Sequence, residues 1–273
     1  MKHCHLSLCC NEIVFLKYKL PFLYKLFDQI IFVDYDILKN AHSCDGSIEY
    51  IRKFPDPENK ILLLIDFENV RHKIKTFSGK DIEDYQKMFA YGSKYVANDI
   101  DIMWSTDMDE FFDITLFRKT EEEFKNDNEL TTIDCCWKTF IYNQYNILDE
   151  KERENGFYPP RITKHSIGKI YGHCNWREYG KILTLKEDFI YHFSYIGLER
   201  CRNKLILYNT RTTSKHLQDN WCDFYMNNIK QGKKYVNFVH PGSLKKCIPY
   251  DGDYPMDINI DNMINEMNGI VSS

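Results

Sequence analysis

Several familiar signals are missing from this 273-residue chain. No apolar run approaches the ~20 residues needed to span a bilayer. The opening MKHCHLSLCCNE is too short in apolar residues for a secretory signal. There is no Gly-x-x-x-x-Gly-Lys loop, which disfavours a P-loop nucleotide hydrolase. None of the ten cysteines stands in a Cys-x-x-Cys pair, so the commonest structural-zinc spacing is lacking. No Asn-x-Ser/Thr sequon occurs despite many asparagines, and reduced thiols in a cytosol-like compartment fit that pattern. Positive charge is not in excess either. The net charge of −4 and pI near 6.2 argue against a general nucleic-acid binder. No internal repeat, low-complexity tract or long linker breaks the chain. The expectation is a cytoplasmic protein without a transmembrane segment.

What is present suits a globular α/β protein. The chain is 43% hydrophobic and 15% aromatic, enough for one large core or at most two small ones. His5 to Cys10 is a short apolar run ending in Asn11-Glu12, read as a buried strand in preference to a Cys4/His5/Cys9 metal cluster. IVFLKYKLPFLYKLF has helical apolar spacing interrupted by Pro21, which predicts a broken or kinked helix. QIIFVDYD is a second strand, ending at Asp34. NAHSCDGSIEYI carries a turn signal at Asp45-Gly46 and then a short helix. KILLLIDFE is a third strand, Asp81 to Val96 an amphipathic helix, and DIDIMWS a fourth strand leading into Thr106-Asp107-Met108-Asp109-Glu110. Glu121-Glu122-Glu123 reads as a solvated helix face. Such alternation predicts a Rossmann-like fold, a mostly parallel central sheet flanked by helices. Ligands of these sheets bind beyond the carboxyl ends of the strands.

Asp-x-Asp occurs four times, so position has to separate the copies. Asp99/Asp101 begins a strand and belongs on the opposite edge. Asp251/Asp253 flanks Gly252 in a turn. Asp34/Asp36 ends the second strand. Asp107/Asp109 ends the fourth and has a further carboxylate, Glu110, beside it. If the segment is extended, residues i and i+2 point the same way. Asp107 and Asp109 would then direct two hard oxygen donors at one divalent cation, with a diphosphate completing its shell. Glu110 would orient the loop or meet a substrate hydroxyl, and Asp113 reads as structural.

CNE after the first strand, VDYD after the second, HSCDGSIEYI, and STDMDEFF after the fourth together resemble a GT-A nucleotide-sugar glycosyltransferase. In the second half, DFIYHFSYIGLERCRNKLILYNTRTTSKH and the late CIPY resemble family 17 glycosyltransferases, the β-1,4-N-acetylglucosaminyltransferases that act on mannose cores. The first half is closer to families 2 and 92. The resemblance spans about residues 5 to 250 and implies one GT-A domain over 1–250 with a tail over 251–273. It implies transfer of a hexosyl or N-acetylhexosaminyl group from a nucleotide sugar, UDP favoured, to a carbohydrate or other hydroxyl acceptor. It further implies that Asp107 and Asp109 bind Mn²⁺ or Mg²⁺ and the donor diphosphate, and that His192 in YHFSYIG completes that site. Imidazole ligation suits Mn²⁺ better than Mg²⁺. His240 and His216 are fallbacks. Asn11, Glu12, Asp34 and Asp45 lie where such enzymes contact the nucleoside, against a plainer reading as strand-end caps and turn formers.

An inverting transfer needs a general base within reach of the acceptor hydroxyl. The acidic candidates are Asp188 first, then Glu187 and Glu110, then Asp219 and Asp223. GHCNWREYG, residues 172 to 180, reads as a loop in which Trp176 and Tyr179 can stack on a sugar and Arg177 can meet a phosphate. Two other function classes compete: a metal-dependent phosphohydrolase or nucleotidyltransferase, which also groups carboxylates at strand ends, and a non-catalytic sugar-binding protein of the same fold.

Overall fold

The computed structural model describes residues 1–37, 39–74, 84–148, 160–165, 180–196, 200, 235–237, 244–250, 252–254 and 258–267. The chain divides into two units, one of Met1–Cys136 with Tyr158–Phe189 and one of Trp137–Phe157 with Ile190–Ser273.

In the first unit the elements run β1 (His3–Leu8), α1 (Ile13–Leu26), β2 (Gln29–Val33), α2 (Ser47–Lys53), β3 (Ile61–Leu64), α3 (Phe67–Val70) with a 3-10 turn, α4 (Asp84–Ser93), β4 (Ile102–Trp104), β5 (Glu110–Phe111) and α5 (Ile114–Asn126). They are followed by β6 (Leu130–Leu148), β7 (Pro160–Lys164) and β8 (Lys181–Ile196), of which β6 and β8 continue into the second unit. The strands lie in the order β3-β2-β1-β4-β7-β6. β3, β2, β1 and β4 are parallel, whereas β7 is antiparallel to both β4 and β6. The α/β class expected from the alternation is therefore present, with its parallel strands β1 to β4 followed by antiparallel pairing at β7 and β6.

The sheet is covered on both faces because β1 is buried along its whole length. Cys4, Leu6 and Leu8 face a core with Ile31, Val33, Met88, Phe89, Tyr91 and Met103, which brings in α4. Burying a side chain such as Phe89 contributes roughly 1.5–3 kcal/mol. The alternate residues His3, His5 and Ser7 are equally buried but polar. His3 and His5 pack beside an aromatic cluster in which Phe27 meets Trp104, Phe112 and Phe117 edge-on, Trp104 and Phe112 are tilted, and Trp104 stacks on Phe117.

β1 starts two residues earlier than the apolar run suggests, since His3 pairs with Ile102 at the start of β4. It ends at Leu8, two residues before the expected Cys10, and the chain turns at Asn11, where φ is 53°. α1 is one continuous helix with Pro21 inside it. Proline removes one N–H from the helix interior, yet Phe15, Leu16, Leu20 and Leu23 stay buried on one stripe, and that packing holds the helix together. At the opposite edge, Lys2 binds Asp99 through Nζ (2.5 Å) and Asp101 through its backbone N–H (2.7 Å), so this Asp-x-Asp pair ties down strand starts. Asp113 caps α5 by accepting the Leu116 N–H at 2.8 Å, the structural role expected of it.

In the second unit the end of β6 pairs antiparallel with β10 (Leu244–Pro249), which pairs with β9 (Tyr235–Asn237). Phe140 stacks on Phe193 with centroids 4.6 Å apart and meets Tyr250 edge-on at 5.1 Å. The last described helix is α6 (Ile260–Met267). Among the described residues no helix is long and apolar enough to cross a membrane.

Candidate functional site

Parallel register places the ends of β1, β2, β3 and β4 on one edge of the sheet. The loops after β1 and β2 are bonded to each other there. The Asn11 N–H donates to Ser43 Oγ at 2.8 Å, and Asn11 Oδ1 accepts the Cys44 N–H at 2.9 Å. Ser43 donates to Asp34 through its N–H (3.0 Å) and its hydroxyl, and His42 Nδ1 lies 3.3 Å from the same carboxylate. Burial pushes the Asp34 carboxyl above its usual range, against the Ser43 hydrogen bonds, which favour the charged form. Asp45 accepts the Ile13 N–H at 2.8 Å and the Ser47 N–H at 3.0 Å, so one carboxylate satisfies the first turns of two helices, α1 and α2. The Glu12 N–H donates to Ser47 Oγ at 3.2 Å. Asn11, Asp34 and Asp45 thus come together through Ser43, Cys44 and Ser47, in the capping and turn-forming contacts that are the plainer reading of these residues.

The end of β4 differs from the extended geometry considered above. Asp107 to Glu110 form a tight turn in which the Glu110 N–H donates to the Asp107 carbonyl at 3.1 Å. The Asp107 side chain is 23% exposed while Asp109 is 1% exposed, so the two carboxylates are not presented alike. The turn is stabilised from below. Glu110 is fully buried, with Oε2 accepting the Asp107 N–H at 3.1 Å and Oε1 paired with Arg161 Nη2. The same guanidinium nitrogen lies 3.8 Å from Asp107 Oδ2. Burial raises the Glu110 carboxyl above its ordinary range, Arg161 opposes this, and Asp107 adds to it.

Lys19 supplies a second buried cation. Its Nζ donates to Thr106 Oγ1 at 2.9 Å and to the Asp107 carbonyl at 2.5 Å, and lies 5.7 Å from the centre of the Phe111 ring. Burial pulls its ammonium down to about 8, opposed by Glu110, Asp109 and Asp107. Three carboxylates therefore share two buried cations, Lys19 and Arg161.

Neither cation was anticipated as part of the site. Lys19 carries a signal, because the buried stripe of α1 reads Phe15, Leu16, Lys19, Leu20, Leu23 and so holds one charge. Arg161 has less of one. It stands in the short buried strand Pro160–Lys164, and only antiparallel pairing with β4, where the Ser105 N–H donates to the Arg161 carbonyl at 2.8 Å, sets it across from the turn.

Glu187 and Asp188 lie on β8, and their side chains are outside the described set. Trp176, Arg177, Tyr179, His216, Asp219, Asp223 and His240 also fall outside the described residues. His192 belongs to the second unit, where it is buried with its ring 4.3 Å from that of Trp137. Among the described residues no three His, Cys, Asp or Glu side chains gather as a metal cage. Asp107 and Asp109 still fit a hard divalent cation in their donor chemistry. They offer carboxylate oxygens at the ligand edge of the sheet, and magnesium-type sites use one or two carboxylates with phosphate and water for the rest.

No protein-family model matches the chain, and no curated protein sequence matches it. Solved structures of similar layout include the crystal structure of S. aureus TarS 1-349, at 12% identity and TM-score 0.46, covering 82% of this chain and 68% of that one. Another is 4-diphosphocytidyl-2C-methyl-D-erythritol synthase from Anaerococcus prevotii, at 10% identity and TM-score 0.40, covering 68% of this chain and 86% of that one. A third, described as a nucleotide-diphospho-sugar transferase from Desulfovibrio desulfuricans, has 11% identity and TM-score 0.35, covering 85% of this chain and 99% of that one. What the site can do follows from its own residues.

Proposed function

We propose that the protein is a nucleotide-sugar glycosyltransferase that uses a divalent cation at Asp107 and Asp109. One observation carries the reading. The loops after β1 and β2, tied through Asn11, Ser43 and Asp34, share a sheet edge with the Asp107–Asp109 turn after β4. Parallel α/β sheets bind nucleotides at that edge. The resemblance to GT-A enzymes in CNE, VDYD and STDMDEFF supports the same assignment, with a UDP-sugar as the favoured donor.

In this reading the first two loops hold the nucleoside, through Asn11, Glu12 and Asp34 with Asp45 shaping the helix entries. Asp107 and Asp109 hold Mn²⁺ or Mg²⁺, which when bound neutralises charge on the departing diphosphate. An acceptor hydroxyl attacks the anomeric carbon from the face opposite the leaving group, giving inversion. Its proton passes to a carboxylate, for which Asp188 is our first assignment and Glu187 the second. Glu110 is better suited to position the turn than to take that proton, since both of its oxygens are engaged and the group is buried. The acceptor is a carbohydrate or another hydroxyl compound.

The test is incubation with a panel of UDP- and GDP-sugars and Mn²⁺, measuring release of nucleotide diphosphate. Turnover of one donor, lost in Asp109→Asn, is the expected outcome. Binding of no nucleotide sugar, or turnover unaffected by Asp107→Asn and Asp109→Asn together, overturns the proposal.

A further inference from the structure

A lysine inside a helix that packs on a sheet is an expensive choice, because burial disfavours its charge. Lys19 is fully buried and yet placed with both near donor contacts on the segment that begins the Asp107–Asp109 turn. An ammonium can only donate, so Thr106 Oγ1 accepts from Lys19. His5 Nε2 lies 2.7 Å from the same hydroxyl oxygen. Burial and the neighbouring Lys19 charge both favour the neutral form of that imidazole. Ser7, two residues along the same face of β1, donates to the Thr106 carbonyl at 2.8 Å. The polar alternation His3, His5, Ser7 along a buried strand thus gains a purpose: two of the three grip Thr106.

We infer that Lys19, with Thr106 and His5, forms an internal clamp that presets the Asp107–Asp109 turn before any ligand arrives, making Lys19 a positioning residue for that site. Lys19 fixes the Asp107 carbonyl from α1, Glu110 on β5 accepts the Asp107 N–H, and Arg161 on β7 approaches the Asp107 carboxylate. The peptide groups on either side of Asp107 are thereby held by two buried charges of opposite sign, one per element. A turn held in this way loses little conformational entropy when a cation and phosphates bind. The clamp is a property of the folded chain, and only its benefit to cation and nucleotide binding rests on the function proposed above.

Hydrogen exchange in the ligand-free protein tests the clamp separately from the function. In Lys19→Met, the peptide covering residues 105–111 should exchange at least about tenfold faster, the loss expected from removing a hydrogen bond to a charged donor. Peptides from β2 and β3 should keep their wild-type rates. Thr106→Val removes the hydroxyl but leaves the carbonyl contact, and should give a smaller change at the same peptide. If Lys19→Met does not fold, Thr106→Val decides alone. A wild-type exchange rate at 105–111 in a folded variant overturns the clamp, as does acceleration spread evenly over the sheet. With UDP and Mn²⁺, Lys19→Met should also bind about tenfold more weakly than the wild type. If the wild-type protein binds no nucleotide while the exchange result holds, the function fails and the clamp stands.

Discussion

Replacing Arg161 by Met is the sharpest perturbation of the turn, because it removes one charge of a pair buried on both sides. Glu110 and Arg161 have side-chain exposures of 0% and 1%, and Asp107 lies 3.8 Å from the same guanidinium. Removing one member of such a pair leaves an uncompensated buried charge and costs about 3–5 kcal/mol. The cost has a ceiling set by proton uptake, which gives the test a direction in pH. Arg161 favours the charged form of Glu110, so without it the folded-state carboxyl rises further above its unfolded value of 4.5. A carboxyl whose folded pKa is raised favours the fold while protonated. Burial already holds this carboxyl at about 7 in the wild type, so the destabilisation by Arg161→Met should be level below about pH 7 and grow by up to about 1.4 kcal/mol per pH unit above it, until the variant's higher pKa is passed. Urea denaturation at pH 5.5 and pH 8, followed by fluorescence of the buried Trp104, measures both quantities against wild type. Adding Glu110→Gln to the variant should restore much of the loss at pH 8. A loss below about 1 kcal/mol that does not change with pH would refute the reasoning.

Other expectations concern separate contacts. Asp45→Ala deletes two helix-capping bonds, to the Ile13 and Ser47 N–H groups, and should lower stability by about 1–3 kcal/mol in thermal or urea melts. His5 is held neutral, with a folded pKa well below its ordinary 6.5, so its contribution is intact above about pH 6.5 and is lost as pH falls below that. His5→Gln should reduce the acid-side slope of stability against pH by up to about 1.4 kcal/mol per unit, and an unchanged slope would show that the ring is not excluded from protonation. Asp99→Asn with Asp101→Asn alters the Asp-x-Asp pair on the opposite sheet edge, where Lys2 binds. Nucleotide and cation affinity, measured by calorimetry, should not change.

The alternation of elements was legible because each apolar run is short and bounded by polar turn residues, and the α/β layout follows from it. The position of Asp99/Asp101 at strand starts and the structural role of Asp113 were equally legible, since both depend on local order along the chain. The shape of the Asp107–Asp109 turn was not. Two carboxylates at i and i+2 point alike only in extended chain, and here Glu110 closes a turn on the Asp107 carbonyl. Arg161, 51 positions from Glu110, becomes its partner through antiparallel pairing of β7 with β4, which no local pattern announces. Lys19 lay between these cases. A lysine on the buried stripe of α1 was visible in the spacing, but its target, 87 positions away at Thr106, was set by packing. Asp34 does follow β2 directly and Asn11 lies in the loop after β1, three residues beyond Leu8, while the residues that connect them, Ser43 and Cys44, come from the loop after β2.

The central claim is that Asp107 and Asp109 hold a cation and a nucleotide diphosphate at the carboxyl edge of the parallel strands. Calorimetric titration of UDP into the protein, with and without Mn²⁺, tests it most directly when repeated on Asp107→Asn with Asp109→Asn. The account predicts binding that requires the cation and is abolished in the double variant. Equal UDP affinity with and without Mn²⁺, or equal affinity in wild type and variant, would contradict it.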